Sequence, residues 1–509
     1  MKFCLLRSAT TQAACNRAIL LATALSCSQG VQATEAIIIG GGTDIQTSSK
    51  HLEANVQWIQ YALDGQSIPV STYFNDGNSE LADMRYRLSD AHPLSALERV
   101  FEQPEWHLQH YRQHTVESIT DGTQLETLKP ALKDLINKPT DEPLLVVYSG
   151  LGKHSDDNQS SHATETDSLQ LWGNTQLPLS DLRSLFDQSQ RPIRFVMSQC
   201  KSGVFHSLSS KGTPSVTGTN DPVHCGFTAS SAYGDAELCH VDQITTDYRD
   251  YASYFFSAFT GYEYDGEIVS RFADTNEDGQ VSLREAHLYT LQESRGIDMP
   301  VSSSESYLLD WQPWYLRWMP APKQLPENDY TRLFRELARG MNLTLDRDAA
   351  QLIRNKLTNS ISSVTQLHSQ LSQVRETMSE LQTFLQKRVS ARWPSLNHPY
   401  SPAYQEFITQ ENLADVDRYI QQLEPQYSAL VQAQEAVLLK RRELMDANRL
   451  VTQYRKLFQL RRLATLNQQL HSYGKAEHVA AYRSLLACEK EPLSPKPPAD
   501  RILSEDSTQ

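Results

Sequence analysis

From Glu35 to about Trp318, short apolar runs alternate with amphipathic stretches, and from about Pro326 to Tyr473 the spacing becomes almost wholly helical. Ala36 to Ile39 is an apolar run closed by Gly40-Gly41-Gly42, and Leu52 to Leu63 follows with helical spacing, which predicts strand, glycine turn, helix. Leu144 to Tyr148, ending in Ser149-Gly150, and Ile193 to Met197, ending in Ser198-Gln199-Cys200, read as two more buried strands. Apolar strands separated by helix-like segments predict an α/β domain with a mainly parallel sheet over residues 34–318. In such sheets reactive groups gather beyond the carboxyl ends of the strands, where loops converge over helix N-termini.

In the second part, Leu357, Ile361, Val364, Leu367, Leu371, Val374, Met378, Leu381 and Leu385 follow one another in steps of three or four, the seam of a coiled coil or antiparallel bundle. The seam breaks at Trp393-Pro394 through Pro402, resumes around Tyr404 to Leu423 and continues through Leu430, Val437, Leu444, Val451 and Phe458. Residues 329–488 are therefore expected to be an all-α coiled-coil bundle, separable from the first part. The expected linker is 319–328, which holds Pro320, Pro322 and Pro326. Residues 489–509, rich in proline, serine and charge, are expected to be a disordered tail.

Composition narrows the function classes. Of 509 residues, 39% are hydrophobic and 21% charged, with 47 Lys+Arg against 61 Asp+Glu and a net charge of -14. Such a surface repels phosphate backbones, so nucleic acid is not an expected partner. Residues 1–33 carry Lys2, Arg7 and Arg17, then the apolar run Ala18 to Leu25, then Val31-Gln32-Ala33. That order predicts a signal peptide cut near Ala33 and a periplasmic or secreted chain with no transmembrane segment after cleavage. Lipidation at Cys27 is the alternative. Cys200, Cys225, Cys239 and Cys488 remain beyond residue 33. In an oxidising compartment the close pair Cys225 and Cys239 can bridge, although spacing alone leaves the connectivity open.

Cys200 stands where a buried strand gives way to Ser202-Gly203, a place where a thiol faces the site beyond the sheet and its own N–H can meet an oxyanion. Lys201 beside it favours the thiolate. The element Gln199-Cys-Lys-Ser-Gly203, preceded by a strand ending in Tyr148-Ser-Gly-Leu-Gly152, resembles the caspase and legumain group of cysteine peptidases, and most closely their exported bacterial members. Ile37-Ile-Ile-Gly-Gly-Gly42, Asn55-Val56, Leu171-Trp-Gly173, Cys225-Gly-Phe-Thr-Ala229 and Tyr251-Ala-Ser-Tyr-Phe-Phe256 occur in the order found there, so the resemblance covers roughly Glu35 to Trp318. It implies a three-layer caspase-like fold with Cys200 as nucleophile and the backbone of Gly152 and Cys200 as oxyanion donors. It also implies a pocket wall at Thr228 to Asp235, where Asp235 would favour a basic residue. The family's general base is a histidine directly followed by glycine. Here that position reads Leu151-Gly152, and His154, three places on, is the proposed base.

Asp274-Thr-Asn-Glu-Asp-Gly-Gln-Val-Ser-Leu-Arg-Glu285 fits the twelve-residue EF-hand loop. Asp274, Asn276 and Asp278 fall at positions 1, 3 and 5, Gly279 permits the turn, Gln280 offers its carbonyl oxygen, and Glu285 would clamp a calcium ion bidentately. Two functions follow as expectations. One is an exported cysteine endopeptidase acting on a peptide or protein substrate. The other is a catalytically silent, calcium-stabilised module that binds peptide in the same cleft and self-associates or docks a protein partner through its helical half.

Overall fold

The computed structural model of the chain describes residues 34–87, 94–101, 109–153, 167–209, 222–232, 234–240, 250–318, 324–345, 349–397, 402, 406–407 and 413–493. Strands β1 (Glu35–Gly41), β2 (Val70–Phe74), β5 (Ile119–Asp121), β6 (Leu144–Gly150), β10 (Ile193–Met197), β11 (Cys225–Thr228) and β12 (Val301–Ser302) form one sheet in the order β12-β11-β10-β6-β1-β2-β5. Every pairing is parallel except β11 with β12. The hairpin β3 (Met84–Arg87) and β4 (Gln109–Arg112) lies beside it, as does a small antiparallel sheet of β7 (Gly152–Lys153), β8 (Ser168–Leu171) and β9 (Thr175–Pro178).

Strands covered on both faces need no polar alternation, and the two faces sort the residues by parity. Ala36, Ile38, Leu145, Val147 and Val196 point into a core shared with α1 (Lys50–Gly65), α5 (Tyr251–Thr260) and α6 (Leu283–Glu293). Ile37, Ile39, Val146, Phe195 and Met197 point into a second core, against α3 (Leu125–Ile136) and α4 (Leu179–Asp187). Three layers result. The predicted mainly parallel α/β sheet is present.

The helical half is built on two long helices, α9 (Ala349–Arg392, 44 residues) and α11 (Gln426–Tyr473, 48 residues), which pack against each other; of the expected seam on α9, Leu371 and Leu385 are buried, whereas Ile361 is 42% exposed. At 1.5 Å per residue the longer one runs about 70 Å. Near the sheet, α8 (Asp329–Gly340), α11 and α12 (Ala476–Lys490) do not bury a core of their own. Leu333, Leu337, Leu457, Leu460 and Tyr482 share one cluster with Leu288 and Leu291 of α6 and Leu308 of α7 (Ser303–Trp311). At the other end α2 (Ala96–Phe101), from the excursion between β3 and β4, packs with Leu385 and Val389 of α9 and with Ile420 of α10 (Leu413–Gln421). There the Leu97 N–H donates to Asp417 at 2.8 Å. The stretch 319–328 thus separates the two parts in sequence without separating their cores.

The expected tail needs correction at its start. Glu489 is fully buried, and Leu493 is 1% exposed in the first sheet core. Glu489 Oε1 accepts from the Ser304 N–H at 2.6 Å, its Oε2 lies 3.2 Å from Arg284, and Glu491 pairs with the buried Arg194. Composition reads this segment as solvated because its charged partners come from remote parts of the chain. Residues 494–509, like 1–33, lie outside the described residues. Among the described residues no helix is long and apolar enough to cross a membrane.

Candidate functional site at the ends of the central strands

Strands β6 and β10 are neighbours, with Met197 opposite Tyr148, so the segments after both emerge side by side. Ser198 fixes them together, its N–H and its hydroxyl both donating to the Tyr148 carbonyl at 3.1 and 3.0 Å. Beyond β6, the Leu151 carbonyl accepts from the Gln170 N–H at 2.9 Å and from the Tyr148 hydroxyl at 2.6 Å. Burial raises the pKa of that hydroxyl far above its ordinary value, so it acts as a fixed donor. Gly152 follows in β7, paired with Leu169. His154, the proposed base, lies outside the described residues.

Beyond β10 the chain is pinned to the segment 230–234. Lys201 adopts a left-handed conformation, φ 52°, and its N–H donates to the Gly234 carbonyl at 2.9 Å. Ser202 and Ser230 exchange hydrogen bonds, each N–H donating to the other's hydroxyl at 3.2 and 3.1 Å. Gly203 is required here, because a Cβ would stand 2.4 Å from the Ala232 nitrogen. Cys200 sits in this pinned turn, half-buried, and its sulfur is held in a disulfide. A disulfide sulfur is not a thiolate, so in this state the residue has no nucleophile to offer.

The other described bridge joins Cys225 to Cys488, which rules out the Cys225–Cys239 bridge that spacing alone leaves possible. Neighbourhood in sequence is a poor guide to sulfur pairing. Cys225 opens the strand beside β10 and α12 lies against it, although 263 positions separate the two sulfurs along the chain.

Asp235 is exposed, whereas two residues on, Glu237 is buried. Glu237 accepts from Arg449 of α11 at 2.7 Å and from the Ile297 N–H at 3.0 Å, a role between the two halves of the chain. Sequence reasoning missed a second buried acid. Asp250 caps α5 through the Ser253 N–H at 3.0 Å and accepts from Asn55 at 2.6 Å, which places α1 and α5 behind the end of β6. Burial pushes its carboxyl up. An aspartate directly before an apolar helical run was the available signal. Gln199 was also missed. It is fully buried, and neither side-chain polar atom has a hydrogen-bond partner among the described residues.

The loop 274–285 folds around its own acids. The Gly279 N–H donates to Asp274 Oδ2 at 2.9 Å, the Asp278 N–H to Asn276 Oδ1 at 2.8 Å, and the Gln280 N–H to Asp278 Oδ1 at 2.9 Å. Gly279 has φ 82°, the left-handed turn that favours glycine. Glu285 is buried. Its Oε1 accepts from the Thr275 N–H at 2.9 Å and its Oε2 from the Ser282 N–H at 2.9 Å, closing a capping box at the start of α6. Asp274 Oδ1 is buried and has no hydrogen-bond partner among the described residues, so an oxygen-seeking cation fits the chemistry of this loop. Among the described residues no three His, Cys, Asp or Glu side chains converge as a metal cluster. Just beyond the loop's eighth position, Ser282 bridges to Pro492 in the antiparallel sense.

No family model matches the chain, and no curated protein is significantly similar to it.

Proposed function

We propose that the chain is a peptidase-like α/β protein that binds a peptide or protein at the carboxyl ends of β6 and β10 without cleaving it, with calcium at 274–285 steadying that half. The observation that carries the reading is the Cys200 sulfur, engaged in a disulfide at the place where the fold gathers its strand ends. Leu151 supports it, since a leucine at the end of β6 can neither take the thiol proton nor return one to a leaving amine. The parallel sheet and the adjacency of β6 and β10 are what the caspase and legumain resemblance leads one to expect. A chain with Cys200 and the Cys225–Cys488 pair both in disulfides also suits an oxidising compartment, as the leader-like residues 1–33 do.

The test is iodoacetamide labelling of the native full chain followed by peptide mapping, alongside turnover of a broad peptide library with and without mild reductant. The expected result is an unlabelled Cys200 and no hydrolysis in either condition. Hydrolysis that appears on reduction, vanishes in Cys200→Ala and falls about a hundredfold or more in His154→Ala would replace this reading by a cysteine endopeptidase with His154 as base, given that acid and base groups contribute roughly 10² to 10⁴.

A further inference from the structure

Where α7 meets the turn between α11 and α12, the surface opens into a cavity of about 430 Å³, walled by Tyr307, Asp310, Trp311, Tyr315, Tyr473 and His478. We propose that this cavity binds a neutral pyranose sugar. Three elements build it. Tyr307, Asp310 and Trp311 lie three and four positions apart on α7 and so share one face, Tyr315 comes from the 3-10 turn Trp314–Trp318, and Tyr473 and His478 flank the α11 to α12 turn. The wall is held in shape. Tyr307 Oη is hydrogen-bonded to His478 Nδ1 at 3.1 Å, and the Trp311 ring meets the His478 ring edge-on at 6.5 Å.

The rings at the mouth stay open to solvent. Tyr315 is 50% and Tyr473 54% exposed, and Trp314 and Trp318, which lie on the same 3-10 turn outside the lining, are 73% and 83% exposed. Clustered large aromatics left this open mark a binding surface more often than scattered single ones do. The volume falls within the roughly 300 to 1,000 Å³ of small-molecule sites.

The chemistry of the wall selects the ligand class. Tyrosine and tryptophan present an apolar face and a polar edge, and the rim adds the Asp310 carboxylate, Lys475, which lies 3.5 Å from Glu477, and the His478 imidazole, whose Nδ1 is already engaged by Tyr307. A pyranose has the same duality, with C–H faces to lie on rings and a belt of hydroxyls that both donate and accept. A hydrocarbon would leave the polar rim unmatched, and such mismatches are unfavourable. An ion would meet charges of both signs, since Asp310 and Lys475 share the wall and Glu477 stands 3.5 Å from Lys475, so no single sign is favoured.

Calorimetry and saturation-transfer NMR on the full chain with chitotriose, cellotriose and maltotriose test the proposal, with choline and a polyproline peptide as competing ligand classes. Binding of at least one saccharide is expected, weakened about tenfold by Tyr315→Ala or Tyr473→Ala, as loss of one stacked ring and its buried area implies. Both rings are half-exposed, so both variants should keep the wild-type melting curve, which separates lost binding from lost fold. Saccharide binding that neither variant weakens overturns the proposal. So does the absence of saccharide binding at about 10 mM, roughly tenfold above a Kd of about 1 mM. Choline or polyproline bound in the cavity in place of sugar overturns it as well.

Discussion

His206, six residues after Cys200, sits against the ring of Phe195 with Nε2 3.0 Å from the Thr228 hydroxyl and Nδ1 3.3 Å from the Ser303 hydroxyl. Burial pushes its imidazole down to about 4 from an ordinary 6.5. The sign of the linkage follows. Between those values the unfolded chain binds a proton that the folded chain refuses, so stability is full above about pH 6.5 and falls as pH drops toward 4. Between pH 7 and pH 5 the loss should be on the order of 2 kcal/mol. Urea denaturation at pH 7 and pH 5 measures it, and His206→Gln should flatten the pH dependence. An equal slope in both proteins would remove His206 as its source. At this scale the sequence was legible where one residue decides locally, as with Gly203 and Gly279. It was not legible for Gln199 or Asp250, whose burial depends on helices brought from elsewhere, nor for the sulfur of Cys200, whose pairing is a property of the folded turn.

The strands and long helices were legible because their apolar spacing follows directly from two-sided burial in the sheet and from a single seam in the hairpin of α9 and α11. The loop 274–285 is the element whose chemistry is most open to test. A ligand bound to the folded state alone stabilises it by about 2.7 kcal/mol at a hundredfold excess over Kd. Calcium should therefore raise the melting temperature, and Asp274→Ala should abolish the rise. Glu285 has two roles that the measurement can separate, because its carboxylate also closes the capping box with Ser282. Glu285→Ala should lower stability by about 1 kcal/mol even in chelator, whereas exposed Asp278→Ala should act only when calcium is present. Identical melting curves in calcium and chelator would end the metal reading and leave the loop as a helix cap.

At the scale of the molecule, the boundary near 319–328 was legible from its prolines, but not the fact that the helices beyond it return to the sheet. Arg284 of α6 donates to Glu305 and to Glu489, and Glu305, although burial alone would raise it, is held down to about 2 by His287 and Arg284. With the Cys225–Cys488 bridge beside this cluster, limited proteolysis after 318 should nick the chain without releasing the helical half under non-reducing conditions. Release of a free fragment without reductant would show that this bridge is absent and that the helical half is independent. Cys488→Ser should lower stability by about 2 to 5 kcal/mol, read from the shift in the denaturant midpoint. The position of Leu493 in the first sheet core has a further consequence, for the order of events in synthesis. A ribosome delivers β1 hundreds of residues before the segment that covers part of its core, so the α/β half cannot reach its final packing while the chain is still emerging. Contacts this remote make folding slow and leave apolar surface waiting. The nascent protein should consequently depend on holding factors until the segment that follows its last helix arrives.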